Sequence, residues 1–350
     1  MQSGLVRSSV RSLHAFRSLS LSVPNLSHSN PLGLPSNKDA GNRPPVMPRM
    51  GPVRKSRIPG VKKVVVVASG KGGVGKSTVA VNLALSLLLT QPTKRVGVLD
   101  LDVFGPSIPK LMGLEGLGEA ELTPGGRLVP MTNHGVGTMS MGYLVPESAT
   151  GENPIVWRGI MVMKAVQQLL FDTDWTSDAH SNTTASTKSS DRPTGRDLDV
   201  LVIDMPPGTG DVALSLGQLV IVDGAVIVST PQDIALIDAR KGVGLFKKLS
   251  IPIFGLLLNM SHLPTTPPIY PFGPPDKFHQ AARELNLPVL GDLPLVPEVS
   301  AGGDSGRPVV LLEAPHVDRK ETNNEHDEGV RMVKREMSRL AEKVWAGLGY

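Results

Sequence analysis

The chain has 350 residues, enough for one large domain or two ordinary ones, and 36 Lys and Arg against 32 Asp and Glu, a formal net charge of +4. It contains no cysteine, which excludes disulfides, thiolate nucleophiles and any Cys-ligated metal on this polypeptide. No apolar run is long enough to cross a bilayer as a helix, and the charge surplus sits in residues 1–38, so the balanced remainder gives no electrostatic argument for nucleic acid.

Residues 1–38 hold Arg7, Arg11, Arg17 and Lys38 and no acidic residue. At 100° per residue, Arg7, Arg11 and His14 share one helical face and Val6, Val10, Leu13 and Phe16 another, with Arg17 on the apolar side. This Arg-, Ser- and Leu-rich, acid-poor make-up is that of a mitochondrial transit segment; the alternative is a basic tail without structure. Residues 39–60 continue a Pro-, Gly-, Asn- and Arg-rich stretch without period and read as a linker.

A folded domain is expected over 61–350. Short β-branched runs, VVVVAS (64–69), RVGVLD (95–100), LDVLVID (198–204), AVIVSTP (225–231), IFGLLLN (253–259) and PVLGDLP (288–294), alternate with helical stretches. Near-continuous apolar strands with helical crossovers predict an α/β fold, a doubly wound and mainly parallel sheet with helices on both faces. LVPMTNHGVGTMSMG (128–142) predicts an added hairpin. Residues 176–197, almost all small or polar, have too little apolar surface to offset ordering entropy and are expected to be a disordered insertion. The terminal helix, 330–348, carries an apolar stripe of Val333, Met337, Leu340, Val344 and Leu348, which suits docking on the sheet better than a membrane surface.

GKGGVGKST, residues 70–78, lies between the first strand and the helix TVAVNLALSLLL. It satisfies G-x-x-x-x-G-K-[ST] through Gly70, Gly75, Lys76 and Ser77. Such glycines let backbone N–H groups turn toward phosphate oxygens at a helix N-terminus. Gly70, Gly72, Gly73, Val74, Gly75, Lys76, Ser77 and Thr78 are therefore the expected cradle for ATP, Lys76 contacting the β- and γ-phosphates and Ser77 ligating Mg²⁺. Asp100 and Asp102, in VLDLDVFGPS, and Asp204, in LDVLVIDMPPGTGD, end strands where open α/β sheets place ligand groups. A carboxylate at the end of so apolar a strand as 198–204 needs a cation, and Mg²⁺ is the natural one for Asp204.

Lys71 inside GKGGVGKST, the DLDVFGPS segment, DMPPGTGD, the tripeptide NMS after a strand, WRGIMVMKAVQQLL (157–170) and VLGDLPLVPEV (289–299) together resemble the Mrp/Nbp branch of deviant-Walker P-loop ATPases. The resemblance covers roughly residues 60–312 and, with the transit-like start, points to the mitochondrial Ind-type members that serve iron–sulfur cluster assembly for respiratory complex I. It implies a homodimer in the mitochondrial matrix in which Lys71 reaches the partner's nucleotide. It also implies that Asp102 orients the attacking water, Asp204 holds Mg²⁺ through water, Asp211 switches with the γ-phosphate and Asn259 reads the adenine edge. The clients it implies are iron–sulfur apoproteins, including complex I subunits, with membrane contact at most peripheral.

One implied feature is missing. The family carries a C-x-x-C pair after N-M-S that holds a [4Fe–4S] cluster between two subunits, and in NMSHLPTTPPIYPFG those positions are Thr265 and Pro268, neither of which can ligate iron. His262 is the only soft donor nearby and shows no metal-ligand spacing with another histidine. Three functions follow: an ATPase of iron–sulfur assembly without its own cluster site, a nucleotide-switched dimer acting on another client, and a MinD/ParA-like surface-positioning ATPase whose terminal helix binds membrane.

Overall fold

The computed structural model describes residues 55–103, 105–144, 159–176, 195–312 and 324–350. The transit-like segment 1–38, most of the linker, most of the insertion and Trp157 and Arg158 lie outside the described residues.

In chain order the elements are β1 (Val61–Ser69), α1 (Lys76–Thr90), β2 (Val96–Asp100), α2 (Ile108–Leu111), β3 (Met131–Asn133), β4 (Val136–Ser140), α3 (Gly159–Phe171) and β5 (Leu198–Asp204). They continue with α4 (Asp211–Leu219), β6 (Gly224–Ser229), α5 (Asp233–Lys248), β7 (Ile253–Leu258), α6 (Asp276–Leu285), β8 (Val289–Asp292), α7 (Pro297–Asp304) and α8 (Asn324–Leu348). The strands form one sheet in the order β3-β4-β2-β5-β1-β6-β7-β8. All pairings are parallel except β3 with β4, which form the expected hairpin around His134 and Gly135, both at positive φ. Such a turn matches the right-handed twist of its strands.

The central strands are apolar on both faces because both faces are covered: every residue of β2, β5 and β6 is buried. The order places β5 between β1 and β2, so the chain ends of three strands that are distant in sequence lie side by side. Asp100 pairs in register with Asp204, and Val67 of β1 with the same Asp204.

Two boundaries differ from the sequence expectation. The linker was expected to run to residue 60, yet Ser56 donates its N–H to Leu219 and accepts from Ile221, and Ile58 is 1% exposed. A lone isoleucine has no periodic neighbours to announce it, so only its burial and the bonds of Lys55 and Ser56 reveal that the fold reaches back to Lys55. The insertion was expected to begin at residue 176, but Thr176 is buried and its hydroxyl donates to Asp174 Oδ1 at 2.6 Å.

The terminal helix consumes its apolar stripe internally. Val333, Met337, Leu340, Val344 and Leu348 are all buried, α8 packs along α1, and the Trp345 indole N–H donates to Leu87 O and Thr90 Oγ1, both at 3.2 Å. Lys343 Nζ donates to Leu290 O at 2.7 Å and so covers the β8 edge. No described helix is long and apolar enough to cross a membrane. Because Trp345 is 2% exposed and its N–H is satisfied, Trp345→Ala is expected to destabilise the fold by about 3–5 kcal/mol, read as a lower urea midpoint.

Candidate nucleotide site

The loop 70–75 leaves β1 and enters α1 through Gly75, which serves as N-cap at φ 81° in the left-handed region. Gly75 also has no room for a side chain, since a Cβ would fall 2.3 Å from Asn259 Nδ2. At the other end of the loop, a Cβ on Gly70 would lie 2.2 Å from the backbone of Asp238 in α5. Close approach on two sides is what these two glycines permit. The first turn of α1 then aims its free N–H groups at the loop's open side, where anions bind.

Lys76 is the first residue of α1 and is buried; its Nζ lies 2.6 Å from Asp204 Oδ1 and 3.0 Å from Ser77 Oγ. Asp204 is fully buried at the end of β5. Burial pushes its carboxyl above the usual carboxylate range, against the pull of Lys76 and Ser77. Asp100, in register beside it, is pushed up to about 7 by burial and then by the charge of Asp204, opposed by the N–H groups of Asp102 and Ile108. Two carboxylates this close share one pool of compensation, so added positive charge favours ionisation of both.

Lys76, Ser77, Asp204, Asp100 and Asp102 are brought together. Lys71 is half-buried on the loop, Ser77 and Thr78 open α1, and Asp102 follows β2 with its N–H bonded to Asp100 Oδ1 at 2.9 Å. Asp211 is exposed in the first turn of α4, where a negative charge suits the helix dipole.

Asn259 has a task the sequence did not reveal: its Nδ2 donates to Val74 O at 2.8 Å, tying the phosphate loop to the end of β7. An apolar slot beside it is lined by Thr78, Asn82, Leu293 and Pro294 and closed by Val333 and Met337 of α8. Nothing local in 330–348 signals that contribution.

A profile described as ParA, NUBPL iron-transfer P-loop NTPase, matches residues 60–179 and 192–329. The chain belongs to this family. The mouse iron-sulfur cluster transfer protein NUBPL is 45% identical over 306 residues, 87% of this chain and 87% of its own length. The iron-sulfur protein required for NADH dehydrogenase, mitochondrial, of Arabidopsis thaliana is 41% identical over 264 residues, 75% of each chain. Among solved structures, a nucleotide-binding protein from Archaeoglobus fulgidus in complex with ADP is 29% identical with a TM-score of 0.56, over 77% of this chain and 96% of that one. Membership of the NUBPL family, with the phosphate loop and strand-end aspartates in place, makes the chain an ATP-binding P-loop ATPase of the iron–sulfur assembly type.

Within that NUBPL frame the 259–273 loop is built differently from a cluster ligand set. Leu263 and Ile269 form an antiparallel bridge, Thr265 Oγ1 donates to Pro267 O at 2.8 Å, and Pro268 has no donor atom in its side chain. His262 Nδ1 lies 2.8 Å from Ser261 Oγ, and its ring packs 6.1 Å from that of Tyr270. Among the described residues no group of three potential metal-ligating side chains occurs.

Proposed function

We propose that the chain is a Mg²⁺-dependent, homodimeric ATPase of the mitochondrial matrix that acts on iron–sulfur apoproteins, complex I subunits among them, without holding the cluster itself. The observation that carries the nucleotide half is the convergence of the phosphate loop, Lys76 and Asp204 at the ends of adjacent strands. In this reading the loop amides and Lys76 bind the phosphates, and Asn259 reads the adenine edge. Asp102 orients water, Lys71 reaches the partner's nucleotide, and Asp211 senses the γ-phosphate.

The residues present fit Mg²⁺. Asp204 Oδ2 is buried with no hydrogen-bond partner among the described residues, next to Ser77, which leaves an acceptor that a hydrated cation would satisfy. Held by Ser77 and, through water, by Asp204, the ion would neutralise phosphate charge during transfer.

The residues present do not fit a [4Fe–4S] cargo, since thiolate donors are absent from the whole sequence and Thr265 is already bonded within its own turn. Relatives named for cluster transfer support the pathway, and the cysteine-free loop is the reason for reading this chain as its switching half. The terminal helix, its stripe buried against α1, gives no support to surface positioning.

Anaerobic reconstitution with iron and sulfide, followed by desalting and metal analysis, tests the reading. Substoichiometric iron without a cluster absorption band is expected while ATP binding persists; a stable stoichiometric cluster would refute it.

A further inference from the structure

Asp100 takes no part in the proposed chemistry, yet both of its carboxylate oxygens are engaged. It is 1% exposed. Its Oδ1 accepts the N–H of Asp102 at 2.9 Å, and its Oδ2 accepts the N–H of Ile108 at 3.3 Å and the hydroxyl of Ser140 at 3.1 Å. Ser140 ends β4, is itself fully buried, and accepts the N–H of Gly142 at 3.1 Å. Ile108 opens α2 and is fully buried. One side chain therefore holds both ends of the turn that carries Asp102 and fastens them to a neighbouring strand.

We propose that Asp100 is a positioning residue for hydrolysis: its two oxygens clamp the backbone at Asp102 and Ile108, with Ser140 fixing the clamp, and so set where the Asp102 carboxylate stands. This rests on the reading of Asp102 as the water-orienting group. With both oxygens occupied, Asp100 is not a base for the water. Its two acceptor oxygens suit three donors converging in a buried place, where an unmet N–H is costly. Asn has the same shape but a single acceptor oxygen, so at least one of the three donors loses its partner. A displacement of about 1 Å at a reacting group costs roughly 100-fold in rate.

The test uses the full-length chain with Asp100→Asn, Ser140→Ala, Asp102→Ala and the double variant D100N/D102A. A fluorescent ATP analogue reads affinity, a Mg²⁺ titration reads metal dependence, single-turnover hydrolysis reads rate, and amide hydrogen exchange of the nucleotide-free chain reads the turn. Asp100→Asn is expected to keep analogue and Mg²⁺ affinities within about threefold while hydrolysis slows about 100-fold. Exchange at Asp102 and Ile108 is expected to accelerate, and D100N/D102A to be little slower than Asp102→Ala alone. Ser140→Ala, which removes one of the three bonds, is expected to shift rate and exchange the same way by less, and decides the matter if Asp100→Asn fails to fold.

A normal hydrolysis rate in Asp100→Asn would overturn the proposal. So would a loss confined to nucleotide or Mg²⁺ affinity, or multiplicative effects in the double variant. A normal rate in Asp102→Ala instead overturns the reading of Asp102, and the positioning role with it. A slow Asp102→Ala beside a fast Asp100→Asn overturns the positioning role alone.

Discussion

Lys76→Ala is expected to abolish ATP binding, lowering affinity by about 100-fold or more. The lysine sits at the first position of α1, where its ammonium adds a full charge to the partial positive charge of the helix end. Its Nζ is 2.6 Å from Asp204 Oδ1, in a pair whose side chains are 7% and 0% exposed. Removing one partner of a buried pair leaves an uncompensated charge, so the variant also loses about 3–5 kcal/mol of stability. Lys76→Gln keeps a donor for Asp204 without the charge and separates the two losses: it is expected to fold closer to wild type in near-ultraviolet circular dichroism and still fail to bind. Isothermal titration with Mg-ATP checks both variants, and wild-type affinity in either would sink the nucleotide site.

Lys71→Ala is expected to leave binding by an isolated subunit intact and to slow hydrolysis by about 10³-fold, the low end of what a charge supplied across an interface contributes. The side chain is half-buried on the loop, and its ammonium makes no hydrogen bond or ion pair with a described residue, whereas Lys76 is committed within its own chain. The loop conformation does not depend on the Lys71 side chain: Ser69 Oγ donates to the Lys71 carbonyl at 2.9 Å, a contact that survives the substitution. Mixing the variant with a Lys76→Gln subunit, which lacks its own nucleotide, distinguishes a contribution in trans from one in cis. Neither recovery of activity on mixing, expected for a contribution in trans, nor its absence can then be assigned to misfolding, because both chains are measured for stability first.

The fold was legible because its signals are local. LDVLVID at 198–204 coincides with β5, and the remaining apolar runs begin and end within a few residues of their strands, since a buried parallel strand must be apolar on both faces. The phosphate loop was legible for the same reason: glycine spacing and a following lysine are properties of a continuous stretch. The buried ends at 56–58 and Thr176 were not, because each depends on chain far away, at Leu219 and Ile221 through Ser56 for the first and at Gly60 for the second.

Asn259 shows the same limit inside the site. Its place after β7 is readable, but the bond from Nδ2 to Val74 spans 185 residues and exists only because β7 and the β1 loop end on the same edge of one sheet. The sequence alone determined the alternation of strand and helix, the phosphate loop, and the absence of any thiolate at Thr265 and Pro268, since each follows from residue type and short spacing. Only the tertiary structure decided that Lys76 meets Asp204, that Asp100 gathers Asp102, Ile108 and Ser140, and that α8 spends its apolar stripe on α1 rather than on a surface. Those contacts depend on strand order, with β5 set between β1 and β2, and strand order is fixed by how all the apolar faces can be buried at once.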